Sequence, residues 1–136
     1  MIYLSRKEII LLDKILISSS GGHYIDFNSN LLNPNSLDWL VKAVKEEYFG
    51  TKKYRNVFEV ASAYCFFIIN DHIFNDGNKR TGTEAALFFL EKNGYLLKEK
   101  ISHKEIEHLA LSVENKKLDL KKLSNWFKKN TSKRKK

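Results

Sequence analysis

The segment Val57–Ile69 leaves this chain little choice of architecture. Val57, Phe58, Val60, Ala61, Ala63, Tyr64, Cys65, Phe66, Phe67, Ile68 and Ile69 are apolar or aromatic, interrupted only by Glu59 and Ser62. The run continues to about Asp71, and ~15 residues exceeds most strands, so it reads as a helix. Asn56 is well suited to cap its first turn. A helix that is apolar nearly all round belongs in the middle of a structure, covered on most sides. A second apolar run, Ala85–Leu90, lies in a helix expected from about Asn78 to Asn93. The spacing therefore predicts a buried helical pair with a short polar bend between its members.

The rest of the chain supplies covers for that pair. Ser5-Arg6-Lys7-Glu8 has the form of a capping box and opens a helix over about Arg6 to Ile17, with Ile9, Leu12 and Leu16 as its stripe. Ser36 is expected to cap a helix carrying Leu37, Leu40, Val41 and Val44, closed by Phe49-Gly50. Ser102 and Glu105 form a second capping box ahead of Ile106, Leu109 and Val113. Asp119 starts a last amphipathic helix bearing Leu120, Leu123, Trp126 and Phe127. His23–Phe27 alternates like a short strand, and Tyr95–Leu97 reads as an extended exit. The expected fold class is all-α, a bundle of about six helices with at most a short hairpin or flap.

At 136 residues the chain is one domain by length, with an ordinary apolar fraction of 43%. No apolar run approaches the ~20 residues that span a bilayer. Arg6, Lys7, Glu8, Asp13 and Lys14 interrupt the first apolar stretch, which excludes a signal-peptide pattern. Cys65, the single cysteine, reads as a buried thiol in a reducing compartment, so the expected location is cytoplasmic. Six of the eight excess positive charges fall within Lys128–Lys136, leaving +2 on residues 1–127. Residues 1–127 are therefore read as the domain. Residues 128–136 are read as a disordered basic tail, either plainly solvated or touching nucleic acid or another polyanion.

The bend holds His72-Ile73-Phe74-Asn75-Asp76-Gly77-Asn78-Lys79-Arg80. The first N–H groups of the helix that follows lack internal partners and carry positive potential. Gly77 can adopt angles closed to other residues, letting neighbouring N–H groups converge on an anion such as phosphate. Lys79 and Arg80 oppose the helix dipole there, and make sense if a polyanion shares the spot. Asp76 beside a phosphate site calls for a bridging cation, magnesium being the usual one. His72 is the one group in the bend suited to taking a proton near neutral pH. Phe74 alternates with the polar residues and is expected to anchor the loop in the core. Each feature also has a plain reading: a C-capping histidine, a surface Asp-Gly turn, a solvated basic pair. Their coincidence in one bend keeps the phosphate site open beside these plain readings.

These nine residues resemble the signature of the Fic/Doc superfamily, His-x-Phe-x-Asp/Glu-Gly-Asn-(Gly or Lys)-Arg, and most of all its death-on-curing (Doc) branch. The likeness extends through Thr81-Gly82, Ala85–Leu90 and Asn93-Gly94-Tyr95, covering roughly Val57–Leu97. The resemblance implies a Fic-type helical bundle and transfer of part of a nucleoside triphosphate, ATP by expectation, to a protein hydroxyl. It implies His72 as general base, Asp76 as the magnesium-holding residue, Gly77 and Asn78 as the anion loop with Lys79 in it, and Arg80 on phosphate. Members that transfer AMP mostly have glycine at the place of Lys79 and a second arginine at the place of Thr83. Lys79 and Thr83 therefore point to the Doc-like reaction, phosphorylation of a serine or threonine, with elongation factor Tu the target associated with that branch. AMP transfer is the alternative.

The family's self-inhibiting motif, Ser/Thr-x-x-x-Glu-Gly/Asn, is absent, since Glu114-Asn115 is preceded at that offset by Ala110. The resemblance then implies a toxin controlled by a separate antitoxin chain. Gly21–Phe27 and Tyr48–Arg55 are both candidates for the flap that aligns the target. Two non-enzyme readings stand beside this one. The first is a nucleic-acid-binding module using the tail and Lys79-Arg80, and the second is a catalytically silent partner protein. His23, His103, His108 and Cys65 read as structural or surface residues, not zinc ligands.

Overall fold

The computed structural model describes residues 1–19 and 30–135. Six helices account for most of it: α1 (Arg6–Ser19), α2 (Pro34–Ala43), α3 (Val57–Asn70), α4 (Asn78–Lys92), α5 (His103–Glu114) and α6 (Leu120–Asn130). Two small antiparallel pairs complete it, β1 (Glu47–Tyr48) with β2 (Thr51–Lys52) and β3 (Tyr95–Leu97) with β4 (Thr131–Lys133). The expected all-α bundle is the observed one. Among the described residues no helix is long and apolar enough to cross a membrane.

α3 is the centre. It packs most extensively on α4, then on α6, and also touches α2 and α5. Val60, Ala61, Ala63, Tyr64, Cys65 and Ile68 are fully buried, as a helix apolar on every side requires. Asn56 caps it, its Oδ1 accepting from the N–H groups of Phe58 and Glu59 at 2.9 and 3.0 Å. α4 comes very close. A Cβ on Gly82 would stand 2.8 Å from Cγ1 of Ile69 and 3.0 Å from the carbonyl oxygen of Cys65. Both capping boxes form, Ser5 with Glu8 and Ser102 with Glu105.

Three local expectations are corrected. α2 begins at Pro34, not after Ser36, and the cap position falls to Asn33. Proline is at ease in a first turn because its missing N–H would have no partner there. The same helix stops at Ala43; Phe49-Gly50 is instead the tip of the β1–β2 hairpin, with φ of +52° and +80° and the Phe49 ring fully exposed. Two positive-φ residues in succession are what a tight hairpin turn demands.

The third correction concerns the basic tail. Lys128 and Lys129 form the last turn of α6, where cations favour the helix dipole. Thr131–Lys133 then pair with Leu97–Tyr95, and the N–H of Arg134 reaches the carbonyl of Gly94 at 2.6 Å. The buried hydroxyl of Thr131 donates to the Phe127 carbonyl at 2.7 Å. Composition favoured disorder, but the unpaired edge of β3 offers backbone partners that no composition rule counts. Of the two flap candidates, Gly21–Phe27 lies outside the described residues, and Tyr48–Arg55 contains the β1–β2 turn and strand β2.

Candidate functional site

The bend between α3 and α4 is held from three directions. Asn33 sends its amide Nδ2 to the carbonyls of Asp71 and His72 at 3.0 and 2.9 Å, capping the C-terminus of α3. The segment just before α2 runs alongside: the N–H groups of Leu32 and Asn33 donate to the Ile73 carbonyl at 2.8 and 3.0 Å. Asn75 N–H donates to Asn30 at 2.8 Å, and Leu31 bridges Phe74. Phe74 is buried, as an anchor must be. Asn78 clamps it, with Oδ1 accepting from Phe74 N–H at 2.9 Å and Nδ2 donating to the Phe74 carbonyl at 2.7 Å.

His72 stands two residues past the end of α3 with φ +46°, a left-handed conformation that glycine usually takes. Its side chain is exposed and lines a cavity of about 560 Å³. That size suits a nucleotide-scale ligand. Asp76, Gly77, Lys79 and Arg80 line the same cavity, so the bend gathers the expected residues around one space. Gly77 has φ +82°. The first bond of α4 runs from Thr81 N–H to the Gly77 carbonyl at 2.8 Å, so the N–H groups of Asn78, Lys79 and Arg80 precede the helical ladder. These are the donors an anion would use.

Two expectations about the loop need adjusting. Gly77 N–H is engaged by Oδ1 of Asp76 at 2.8 Å, so it is a local latch in this state. The Asn78 side chain is spent on Phe74, which leaves its backbone N–H as its contribution to an anion site.

The two cations rest on neighbouring helices. Lys79 pairs with Glu114 of α5 at 3.4 Å, and Arg80 donates from Nη1 to the Leu16 carbonyl near the end of α1 at 3.3 Å. The cavity is thus walled by α1, α4 and α5. Half-buried Glu84 lines it too. Burial pushes its carboxyl above the ordinary range, and the charges of His103 and Arg80 partly offset that. Thr83 is buried, its hydroxyl donating to the carbonyls of Lys79 and Arg80 at 3.2 and 3.1 Å. It brings no charge to the wall.

Beneath the loop lies Asp13 of α1, fully buried. Its carboxyl is pushed up to about 6, first by burial, against hydrogen bonds from Thr81 and Asn30 that pull it down, with the charge of Asp76 adding to the rise. Asp13, Asn30, Asn33 and Glu84 escaped the sequence reading. Asp13 alone left a signal, an acid at the i, i+4 spacing of Ile9 and Ile17 on the apolar face of its helix.

Among the described residues no group of three or more His, Cys, Asp or Glu side chains could cage a metal. Magnesium asks for less: one or two carboxylates with substrate phosphates completing the shell. Exposed Asp76 at the cavity fits that mode. His103 sits 3.1 Å from Glu107 on the surface, and buried Cys65 has its thiol pushed far up by burial, so neither is poised for chemistry.

A family model described as Fic/DOC family matches residues 3–90. The chain belongs to the Fic/DOC family. It is 32% identical over 94 residues to the protein kinase doc of Escherichia phage P1, an alignment covering 69% of this chain and 70% of that protein. The Fic/DOC match takes in α1 through α4 almost entirely, and so includes the bend and the segments that hold it.

Proposed function

We propose that this Fic/DOC protein transfers the γ-phosphoryl group of a nucleoside triphosphate, ATP by expectation, to a serine or threonine hydroxyl of another protein. One observation carries the reading. A single cavity brings the exposed His72 imidazole to the same space as Asp76, Lys79, Arg80 and the leading N–H groups of α4.

Phosphoryl transfer asks a protein for positioning and charge more than for covalent chemistry. The amides of Asn78, Lys79 and Arg80 with the two cations hold the triphosphate. Entry of that anion draws Lys79 from Glu114 and Gly77 N–H from Asp76, since a phosphate competes well for both. Asp76 would hold magnesium, which neutralises phosphate charge when bound. His72 takes the proton of the incoming hydroxyl, whose oxygen forms a bond to the γ-phosphorus. The bond from that phosphorus to the β–γ bridging oxygen breaks, and the diphosphate leaves with the bond's electrons.

Kinase chemistry is favoured over AMP transfer by Lys79 and Thr83. Arginine is missing where AMP-transferring relatives mostly carry a second one, and buried Thr83 supplies no substitute charge. The name of the phage relative supports the same side. A translation factor such as elongation factor Tu is the proposed target, and a separate antitoxin chain the proposed regulator, because the family's internal inhibitory motif is lacking. The test is intact-mass analysis of the factor after incubation with the protein, magnesium and ATP. One added phosphate is expected; an AMP adduct overturns the kinase assignment. Expression in a bacterium should arrest growth, and a His72→Ala chain should not.

A further inference from the structure

Asp13 is a buried carboxylate on an apolar helix face, which is costly unless both oxygens are used. Both are. Oδ1 accepts the Thr81 hydroxyl at 2.8 Å, and Oδ2 accepts the Asn30 amide. Thr81 belongs to the first turn and a half of α4, just past the bend. Asn30 begins the segment that accompanies the other side of the bend, and its carbonyl accepts the N–H of Asn75. A Cβ on Gly77 would stand 3.0 Å from Oδ1 of Asp13 and 3.2 Å from Cγ1 of Ile17, so the loop rests directly on this group.

We propose that Asp13 is the positioning residue of the anion loop, a two-ended tie that joins α4 through Thr81 to the 30–33 segment through Asn30 and sets the height of Gly77 in the cavity. A carboxylate suits the task because its two acceptor oxygens face two donors from different elements. A leucine would fill the space and fasten neither. The proposal rests on the loop's reading as a triphosphate site for its catalytic consequence, though the tie itself does not.

Three variants test it: Asp13→Leu, Thr81→Val and Asp13→Asn. Thr81→Val cuts one end of the tie with little change of volume, and Asp13→Leu cuts both ends while keeping the branched shape, with bulkier methyl groups in place of the oxygens. Asparagine keeps the tie, accepting from Asn30 through its oxygen and donating to the Thr81 oxygen through its nitrogen. Transfer kinetics should show kcat falling about a hundredfold in Asp13→Leu and about tenfold in Thr81→Val, because small displacements of reacting groups have effects of that order. KM for the nucleotide should rise as well, because the loosened amides are those that hold the triphosphate, and Asp13→Asn should recover most of both. Amide hydrogen exchange gives the readout independent of activity. Exchange at Phe74, Asn75 and position 81, whose N–H groups are hydrogen-bonded within the bend, should quicken about tenfold in Asp13→Leu and Thr81→Val, with α3 and α6 unchanged. Wild-type exchange at these amides in Thr81→Val overturns the proposal, including when Asp13→Leu does not fold. A wild-type chain that transfers nothing, with exchange quickened as described, would instead refute the functional reading and leave the tie standing.

Discussion

His72 occupies a backbone conformation that costs a non-glycine residue free energy, and it does so at the rim of the cavity. The strain is held by neighbours: Asn33 fastens the carbonyls of Asp71 and His72, and Phe74 is pinned two residues on. Under the proposed function, a backbone fixed in this way would pre-set the histidine to meet a hydroxyl. His72→Ala should lower kcat for transfer by about two to four orders of magnitude, the range for loss of a general base. Nucleotide binding, followed by calorimetry, should change little, because the proposed phosphate donors lie on α4. A parallel loss of affinity would assign His72 to binding instead.

Asp13 permits a second residue-scale test, by pH. Its folded value of about 6 lies above the ordinary value of 3.8. Between those values the folded chain binds more protons than the unfolded one, so this group's effect on stability grows worse as pH rises from about 4 through 6. Asp13→Asn removes the titration. Denaturant unfolding should therefore show the variant gaining stability relative to wild type at pH 7.5 compared with pH 4.5. Equal differences at both pH values would mean that burial does not raise this carboxyl.

At the scale of elements, α3 and α4 approach so closely at Gly82 that a methyl group meets both a side chain and a backbone carbonyl. Alanine is the better helix former by about 0.5–1 kcal/mol. Overpacking costs typically 1–3 kcal/mol, and the carbonyl of Cys65 cannot move aside without moving α3. Gly82→Ala should therefore destabilise the fold by about 1–2 kcal/mol, seen as a lower urea midpoint with unchanged slope. A higher midpoint would show that the pair has slack. The helices themselves were legible because their signals are local: the apolar run of α3, the Ser5 and Ser102 boxes, the Asn56 cap. The nine-residue bend was legible for the same reason. Its supports were not. Asp13 and Thr81 are 68 positions apart, and Asn33 and Asp71 are 38 apart, separations that no periodicity reports. The cap of α2 misled because Asn33 is committed to α3 rather than to its own helix.

For the molecule as a whole, the end of the chain matters more than its charge suggests. β4 is the only neighbour of β3 in its sheet among the described residues, and β3 leads directly out of α4. The ladder joins Tyr95, Leu96 and Leu97 to Lys133, Ser132 and Thr131, with Lys98 N–H donating to the Asn130 carbonyl beyond it. Arg134 adds a bond from its guanidinium to the Glu91 carbonyl at 3.0 Å, closing the C-terminal end of α4. If residues 131–136 served only to bind a polyanion, their removal would leave folding untouched. The pairing argues otherwise: truncation after Asn130 removes several hydrogen bonds, each worth about 0.5–1.5 kcal/mol net, and the buried Thr131. A loss on the order of 2 kcal/mol follows, and for a domain of this size that lowers Tm by several degrees. Replacing Lys133, Lys135 and Lys136 by glutamine keeps the ladder and the Arg134–Glu91 bond and removes most of the charge of residues 131–136, so this chain should melt close to wild type. If the charge-reduced chain instead loses as much stability as the truncated one, the contribution is electrostatic and the strand pairing is incidental. Catalysis should survive both changes once the temperature is lowered, because the end of the chain meets α4 at the opposite end from the bend that carries His72.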